Sequence, residues 1–404
     1  MDTRVILILF AEAVLTMALL YASGVLKKPA HVIVSALLVA LAFLLRGLML
    51  DYETLDYQDF LTVWTRYFAE NGGFAALKDS IGNYNIPYLY FLAWFSYSDI
   101  RDLYLIKCLS IFFDIILAWS GMMLAGRFTK SAAKKLFCFF AVLFLPTVLL
   151  NGAYWGQCDS IYAAFAVMSI YLALSDRPWL AMAAAAVSFA FKLQAVFVLP
   201  VFAVLLILKR IKLRHFLMFP AAYIMAVLPA VLLGRPFWDT LTLYFNQAGS
   251  IGGGLNYNSS SVFSILTSAD TALWSKLGVA VAFAGMAAVL VTVWIKRRSA
   301  GDAAVLLSAV VFSLMIPFLL PHMHDRYFFL ADILTLVSAC IFPALFALPV
   351  LSQFGSLLGY HAYLKMRYLL PMSYGGWAIL AATVMAWLAL FVLFDHKNNY
   401  RLRN

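Results

Sequence analysis

The sequence predicts an all-α polytopic membrane protein, a bundle of about thirteen transmembrane helices. Of its 404 residues, 65% are hydrophobic and 12% are charged, and the mean hydropathy is +0.90. A soluble domain is about 45–50% apolar and about 25% charged, so a soluble fold is excluded. The apolar residues gather in runs of about 15–25 between short polar joints, the length a helix needs to cross about 30 Å of hydrocarbon. Val5–Tyr21, Val32–Leu50 and Trp377–Phe394 run without the in-and-out alternation of barrel strands, which excludes an outer-membrane barrel as well.

The formal charge of +10 reports topology before it reports a polyanionic partner, and no nucleic acid is expected. Basic clusters at Lys27–Lys28, Arg127–Lys135, Lys209–Arg214, Lys296–Arg298 and the tail Lys397–Arg403 mark cytoplasmic joints. The acidic loop 51–85, the segment Asn151–Asp159, the Gly/Ser/Asn-rich loop 234–271 and Pro321–Arg326 then face outward, with the N-terminus outside and the C-terminus inside. Met1–Tyr21 has the basic start and apolar stretch of a signal peptide, with Ala22–Ser23–Gly24 after it. Lys27–Lys28 leads directly into another apolar run, however, so the pair reads as a hairpin of two spans. Cys108, Cys138, Cys158 and Cys340 lie in or beside apolar runs without CxxC or Cys/His spacing, which indicates neither a disulfide framework nor a zinc site.

The elements follow in order. In the first outer loop, Tyr57, Phe60, Trp64, Tyr67 and Phe68 recur at helical spacing and Asn71–Gly72–Gly73 closes the pattern. This predicts an amphipathic helix on the membrane surface, with Trp64 and Tyr67 in the headgroup layer. Ile86–Tyr97 is too short to span and is expected to be interfacial or re-entrant. Lys107 and Asp114, seven apart on one helix face, are structural or line a polar cavity. Between Pro178 and Leu208 the chain goes out and returns, with its turn near Lys192. Tyr327–Tyr363 contains Pro343 and Pro349 and is read as a kinked pair. With no repeat and no soluble segment, residues 1–404 form a single membrane domain.

Three polar clusters border the apolar runs, where ionisable groups are costly and therefore informative. Asp51, Glu53, Asp56 and Asp59 put four carboxylates within nine residues; their ordinary reading is a solvated loop. In Asn151–Ser160, Trp155 and Tyr154 would ordinarily be interface anchors and Asp159 a helix N-cap. His322 and His324 are two apart, a strand or turn spacing that gives little support to a metal pair, and Asp325–Arg326 follow them. Lys192 within an apolar run would ordinarily snorkel to the surface. Together these outward groups supply a base and cations for an anion at the bilayer surface, for which a lipid phosphate is the natural candidate.

The order of these motifs resembles the GT-C membrane glycosyltransferases, especially bacterial proteins similar to the glycosylphosphatidylinositol mannosyltransferases and, more distantly, the glucosyltransferases of N-glycan assembly. The resemblance rests on Asp56–Tyr57 with Phe60–Leu61 and Trp64, on Tyr84–Asn85–Ile86–Pro87, on Lys107 with Asp114, on Gly156–Asp159, on Lys192–Leu193–Gln194 and on His324–Asp325–Arg326. It covers less than half the chain. Lys192–Leu193–Gln194 lacks the family's central proline, and Asp325 stands where the family has Glu. The resemblance implies that Asp56 is the catalytic base and that Trp155, Gln157, Asp159, Lys192, Gln194, His324, Asp325 and Arg326 bind substrate. It further implies inverting transfer of mannose or another hexose from a polyprenyl-phosphate donor to a lipid-linked, glycan or protein acceptor, at the extracytoplasmic face of the cell membrane. A divalent cation held by Asp56 and Asp159 stays open, and no other cofactor is expected. The rival reading is a lipid or polysaccharide transporter, although such proteins often show two similar halves and none is visible here. An acyltransferase using His324 would leave the outer carboxylates unexplained.

Overall fold

In the computed structural model, residues 2–249, 253–266 and 270–393 are described, and the chain divides into two compact units. The basic tail Lys397–Arg403 and parts of the Gly/Ser/Asn-rich loop 234–271 lie outside the described residues. Among the described residues, eight helices are long and apolar enough to cross a membrane, or nine if the bent pair Ala132–Leu143 and Pro146–Trp155 counts as one span. The chain is an all-α polytopic membrane protein. The expected total of about thirteen spans draws in addition on shorter apolar helices, Asp159–Leu174, Pro178–Phe191, Leu193–Ile207 and Phe329–Ile341, and leaves out Ile86–Phe95.

The first unit comprises Met1–Ala166, Ala183–Leu193 and Leu217–Ser250. Thr3–Ala22 and Pro29–Gly47 form the opening hairpin, with Pro29 at the first helical position where its missing N–H costs nothing. Thr3–Ala22 packs on Asp102–Ala125, the best-buried long helix of this unit, and Pro29–Gly47 packs on Ala132–Leu143. The bend between Ala132–Leu143 and Pro146–Trp155 is 48°. Pro146 causes it: Leu145 before it takes an extended ψ of 128°, since the residue preceding a proline is disfavoured in the α region.

The loop 51–85 differs in part from its expected placement. Tyr57–Leu61 is a wide, π-type turn that runs into the helix Thr62–Glu70, and the chain reverses at Gly72, φ +86°. The apolar stripe is real, but Tyr57, Leu61, Trp64 and Phe68 are buried against Tyr88, Leu89 and Leu92 of the helix Ile86–Phe95. Trp64 is therefore part of the protein core, and the Tyr67 hydroxyl donates to Asp79 Oδ2 at 3.0 Å. Trp64 does not serve as the expected headgroup anchor. The reason is the neighbouring helix: at about 15 Å it cannot cross the bilayer, yet seven of its ten residues are buried and offer the aromatic stripe an apolar partner.

The second unit comprises Val167–Met182, Gln194–Phe216 and Ile251–Asn404. Its centre is the helix Asp302–Leu319, buried along almost its whole length by Thr271–Lys296, Phe329–Ile341 and Met372–Leu393. The chain breaks at Phe342, just before Pro343, and resumes as the helix Ala347–Leu364. Asp332, fully buried, accepts from Ser352 Oγ at 2.6 Å and Ser356 Oγ at 3.0 Å, which ties the two halves of this kinked pair together. A two-residue parallel pairing sets Asn256 beside Met323 and Tyr257 beside His324.

Candidate active site

The site is built on the helix Asp102–Ala125. Lys107, fully buried, donates to the carbonyls of Met49, Leu50 and Tyr52 at 2.9, 3.0 and 2.6 Å. These are carbonyls at and beyond the end of Pro29–Gly47, where a cation meets the negative end of the helix dipole. One helical stretch further on, Asp114 Oδ2 accepts from Arg46 Nε at 3.1 Å and Nη2 at 2.9 Å, and its Oδ1 accepts from Ser160 Oγ at 2.5 Å. Arg46 also donates to the Leu143 carbonyl at 2.9 Å. A fully buried pair of this kind is stable only when its remaining hydrogen-bonding capacity is met, and here three helices and the start of Asp159–Leu174 meet it. Lys107 and Asp114 thus hold the two strands of chain that carry the site, residues 49–56 and 151–160.

Those strands lie against each other. Tyr52 stacks on Tyr154 with ring centres 3.9 Å apart, and Thr54 Oγ1 donates to the Trp155 carbonyl at 3.0 Å. Next along the chain, Asp56 Oδ2 accepts from Trp155 Nε1 at 2.9 Å and from Gln157 Nε2 at 2.5 Å. The turn that allows this is a wide one over Leu150–Trp155, ended by Gly156 at φ +80°, a conformation that favours glycine. Gly152 in the same turn has Asp114 Oδ2 3.2 Å from the position a Cβ would take, so a larger residue would push on the buried ion pair.

The second carboxylate opens the helix Asp159–Leu174. Its Oδ2 accepts from Asn151 Nδ2 at 2.7 Å, and its own backbone N–H donates to Asn151 Oδ1 at 3.3 Å. Its Oδ1 accepts from Lys192 Nζ at 2.5 Å. Lys192 stands at a true helix break despite the absent proline: Pro178–Phe191 ends one residue before it and a 3-10 turn, Leu193–Phe197, follows. Asp159 and Lys192 are both almost fully buried, so Lys192 does not snorkel. Tyr84 joins the halves: its hydroxyl donates to Gln157 Oε1 at 2.8 Å, and Lys192 Nζ lies 5.3 Å from its ring centre.

Asp56, Trp155, Gln157, Asp159 and Lys192 are therefore brought together in the first unit. Asp51 and Asp59 are exposed, and Glu53 is taken up by an ion pair with Arg101. That pair holds the Glu53 carboxyl below the usual carboxylate range, with the Gln58 amide adding a second donor.

Gln194, His324, Asp325 and Arg326 belong to the second unit. His324 stacks on Tyr257 with ring centres 4.7 Å apart, as their strand pairing requires, and its ring also lies near Tyr327. Arg326 Nη1 is 3.7 Å from Asp325 Oδ1. Gln194 is buried, and among the described residues its Oε1 has no hydrogen-bond partner. His322, at φ +62°, bonds through Nδ1 to the Gly254 carbonyl at 2.6 Å and through Nε2 to Ser275 Oγ at 3.2 Å, a structural role.

Among the described residues, no group of three or more His, Cys, Asp or Glu is arranged to hold a metal ion. Asp56 and Asp159 are each faced by N–H donors, which a bridging cation would have to displace. Tyr84 was legible only as part of a family motif and Asn151 only as the start of a polar turn, neither with a role, and Arg46 was not singled out. Arg46 carried a signal nonetheless, being a cation inside an apolar run.

Residues 83–320 match the sequence profile of glycosyltransferase family 87. No curated protein matches the chain.

Proposed function

The chain belongs to glycosyltransferase family 87, and from that premise we propose that it is of the GT-C type and moves a hexose, mannose among the candidates, from a polyprenyl-phosphate carrier to a lipid-linked, glycan or protein acceptor with inversion. We place the reaction at the extracytoplasmic face of the cell membrane, because the clustering of Lys and Arg in the other joints favours that side for residues 51–85 and 151–160. The reading rests on one observation above all. A half-buried carboxylate, Asp56, is held by two N–H donors and linked through Gln157 and Tyr84 to a buried Lys192–Asp159 pair.

In this reaction the acceptor oxygen forms a bond to the anomeric carbon while the bond from that carbon to the phosphate oxygen breaks. The acceptor's proton goes to Asp56 as general base, and the electron pair leaves with the polyprenyl phosphate. No separate acid is required, since the phosphate is already a good leaving group. Trp155 and Gln157 keep Asp56 aimed, and their N–H groups are fixed in place before the reaction begins. Asp159 orients the sugar or the acceptor. Lys192 contributes positive charge toward the leaving phosphate, and its ion pair with Asp159 fixes where that charge sits. For the second unit we assign Gln194, His324, Asp325 and Arg326 to donor recognition on the family resemblance alone. The test is product analysis after purified protein is incubated with polyprenyl-phosphate mannose, glucose and galactose and membrane acceptors. A glycosylated acceptor and free polyprenyl phosphate in equal amounts are expected, and uptake of lipid without bond exchange would point to transport instead.

A further inference from the structure

Tyr84 bridges the two carboxylate arms of the site by two different parts of its side chain. Its hydroxyl donates to Gln157 Oε1 at 2.8 Å, and the other end of that same amide, Nε2, donates to Asp56 Oδ2 at 2.5 Å. Its ring receives Lys192 Nζ at 5.3 Å from the centre, and Lys192 in turn donates to Asp159 Oδ1 at 2.5 Å. The ring is itself braced edge-on by Trp64, 5.4 Å away, and Tyr88, 5.0 Å away. Gly82, at φ +70°, lets the chain close over Trp64: a Cβ there would come 2.8 Å from the indole.

We propose that Tyr84 is a positioning residue, whose hydroxyl keeps the Gln157 amide turned with its NH₂ toward Asp56 and whose ring keeps Lys192 on Asp159. An amide side chain has one donor end and one acceptor end of nearly equal shape. While Asp56 is ionised it favours the donor end. The Tyr84 O–H meets the acceptor end at the same time, so both ends of the amide are committed while the base is ionised and its Nε2 stays on the carboxylate. The ring acts separately: cations favour an aromatic face, and this one fixes the side from which Lys192 reaches Asp159. The inference rests on the reading of Asp56 as base, and it makes Tyr84 act through Gln157 without touching the substrate.

The experiment compares Tyr84→Phe and Tyr84→Leu, each in the wild-type and Gln157→Leu backgrounds, with Asp56→Asn as control. Transfer is measured with whichever of polyprenyl-phosphate mannose, glucose or galactose the wild type turns over best, and each variant is checked for wild-type elution in detergent. Tyr84→Phe removes the hydroxyl and keeps the ring. It is expected to lower kcat about tenfold with donor KM unchanged, the effect of one hydrogen bond to a charge-bearing network. In the Gln157→Leu background the same change is expected to have no further effect, because the group it acts through is gone. Tyr84→Leu is expected to add a rise in donor KM through Lys192. Equal losses from Tyr84→Phe in both backgrounds, with Asp56→Asn inactive, would overturn the role of Tyr84 and leave the base assignment standing. Near-normal transfer by Asp56→Asn, or turnover of none of the three donors, would overturn both.

Discussion

Gln157 sets its side-chain nitrogen 2.5 Å from Asp56 Oδ2, across 101 residues of sequence. Trp155, two residues earlier, sets its indole nitrogen 2.9 Å from the same oxygen. Two donors on one oxygen fix the direction of the carboxylate more firmly than one would. Gln157→Leu should therefore lower kcat by about tenfold or more while leaving donor binding near the wild-type value. Steady-state kinetics with the polyprenyl-phosphate hexose checks this, and a pure KM effect would contradict it.

The buried Arg46–Asp114 pair predicts an asymmetric stability response. Arg46→Met leaves Asp114 uncompensated and should cost about 3–5 kcal/mol, whereas Arg46→Met with Asp114→Leu should recover much of the loss. Thermal unfolding in detergent measures both, and equal destabilisation by the single and double variants would contradict the assignment.

Lys192→Ala removes the cation from Asp159 and should weaken donor use by about 2–5 kcal/mol, as expected for unpairing a buried charge. Arg326→Ala tests the second unit's proposed share in the same way. If both variants bind donor as the wild type does, the site lacks its anion-stabilising element.

Acidification should loosen the loop that follows Pro29–Gly47. Arg101 depresses the Glu53 carboxyl below its ordinary value of 4.5, so the tie stabilises the folded loop fully above that value and is lost as pH falls through the lower, folded one. Limited proteolysis of loop 51–55 should accelerate below about pH 4.5 in the wild type, and Glu53→Gln should show the faster cleavage already at neutral pH. Cleavage that is insensitive to both would show that the ion pair does not hold the loop.

The side assignment is tested by labelling. Cysteines at the exposed positions Asp59, Lys130 and Lys212 should react with an impermeant thiol reagent from outside at position 59 only. Labelling of positions 130 and 212 but not 59 would reverse the proposed orientation of the site, and labelling of 59 and 212 from the same side would contradict the topology.

How much was legible in the sequence follows from the range of each interaction. Apolar run length gave the membrane fold, because a span is a local property of about twenty residues. Asp56 and Gly156–Asp159 were legible as polar residues placed where the bilayer penalises them. The Arg46–Asp114 and Gln157–Tyr84 contacts were not, since each joins distant segments and leaves no period in the sequence. The misplacement of Trp64 has a similar origin. Periodicity finds an apolar face, but only the position of Ile86–Phe95 decides whether lipid or protein covers it. The helix break at Lys192 shows the converse, a feature that survives although the proline that would have announced it is missing.

The central claim is that Asp56 takes the acceptor's proton. Asp56→Asn keeps the shape of the side chain but cannot accept a proton at neutral pH, so transfer should fall by about 10²–10⁴ while donor binding holds. The exposed neighbours Asp51 and Asp59, changed in the same way, should retain most activity. The decisive measurement is single-turnover transfer from the polyprenyl-phosphate hexose by Asp56→Asn beside Asp51→Asn and Asp59→Asn. A selective loss at Asp56 is the predicted result; near-normal transfer by Asp56→Asn would contradict the account.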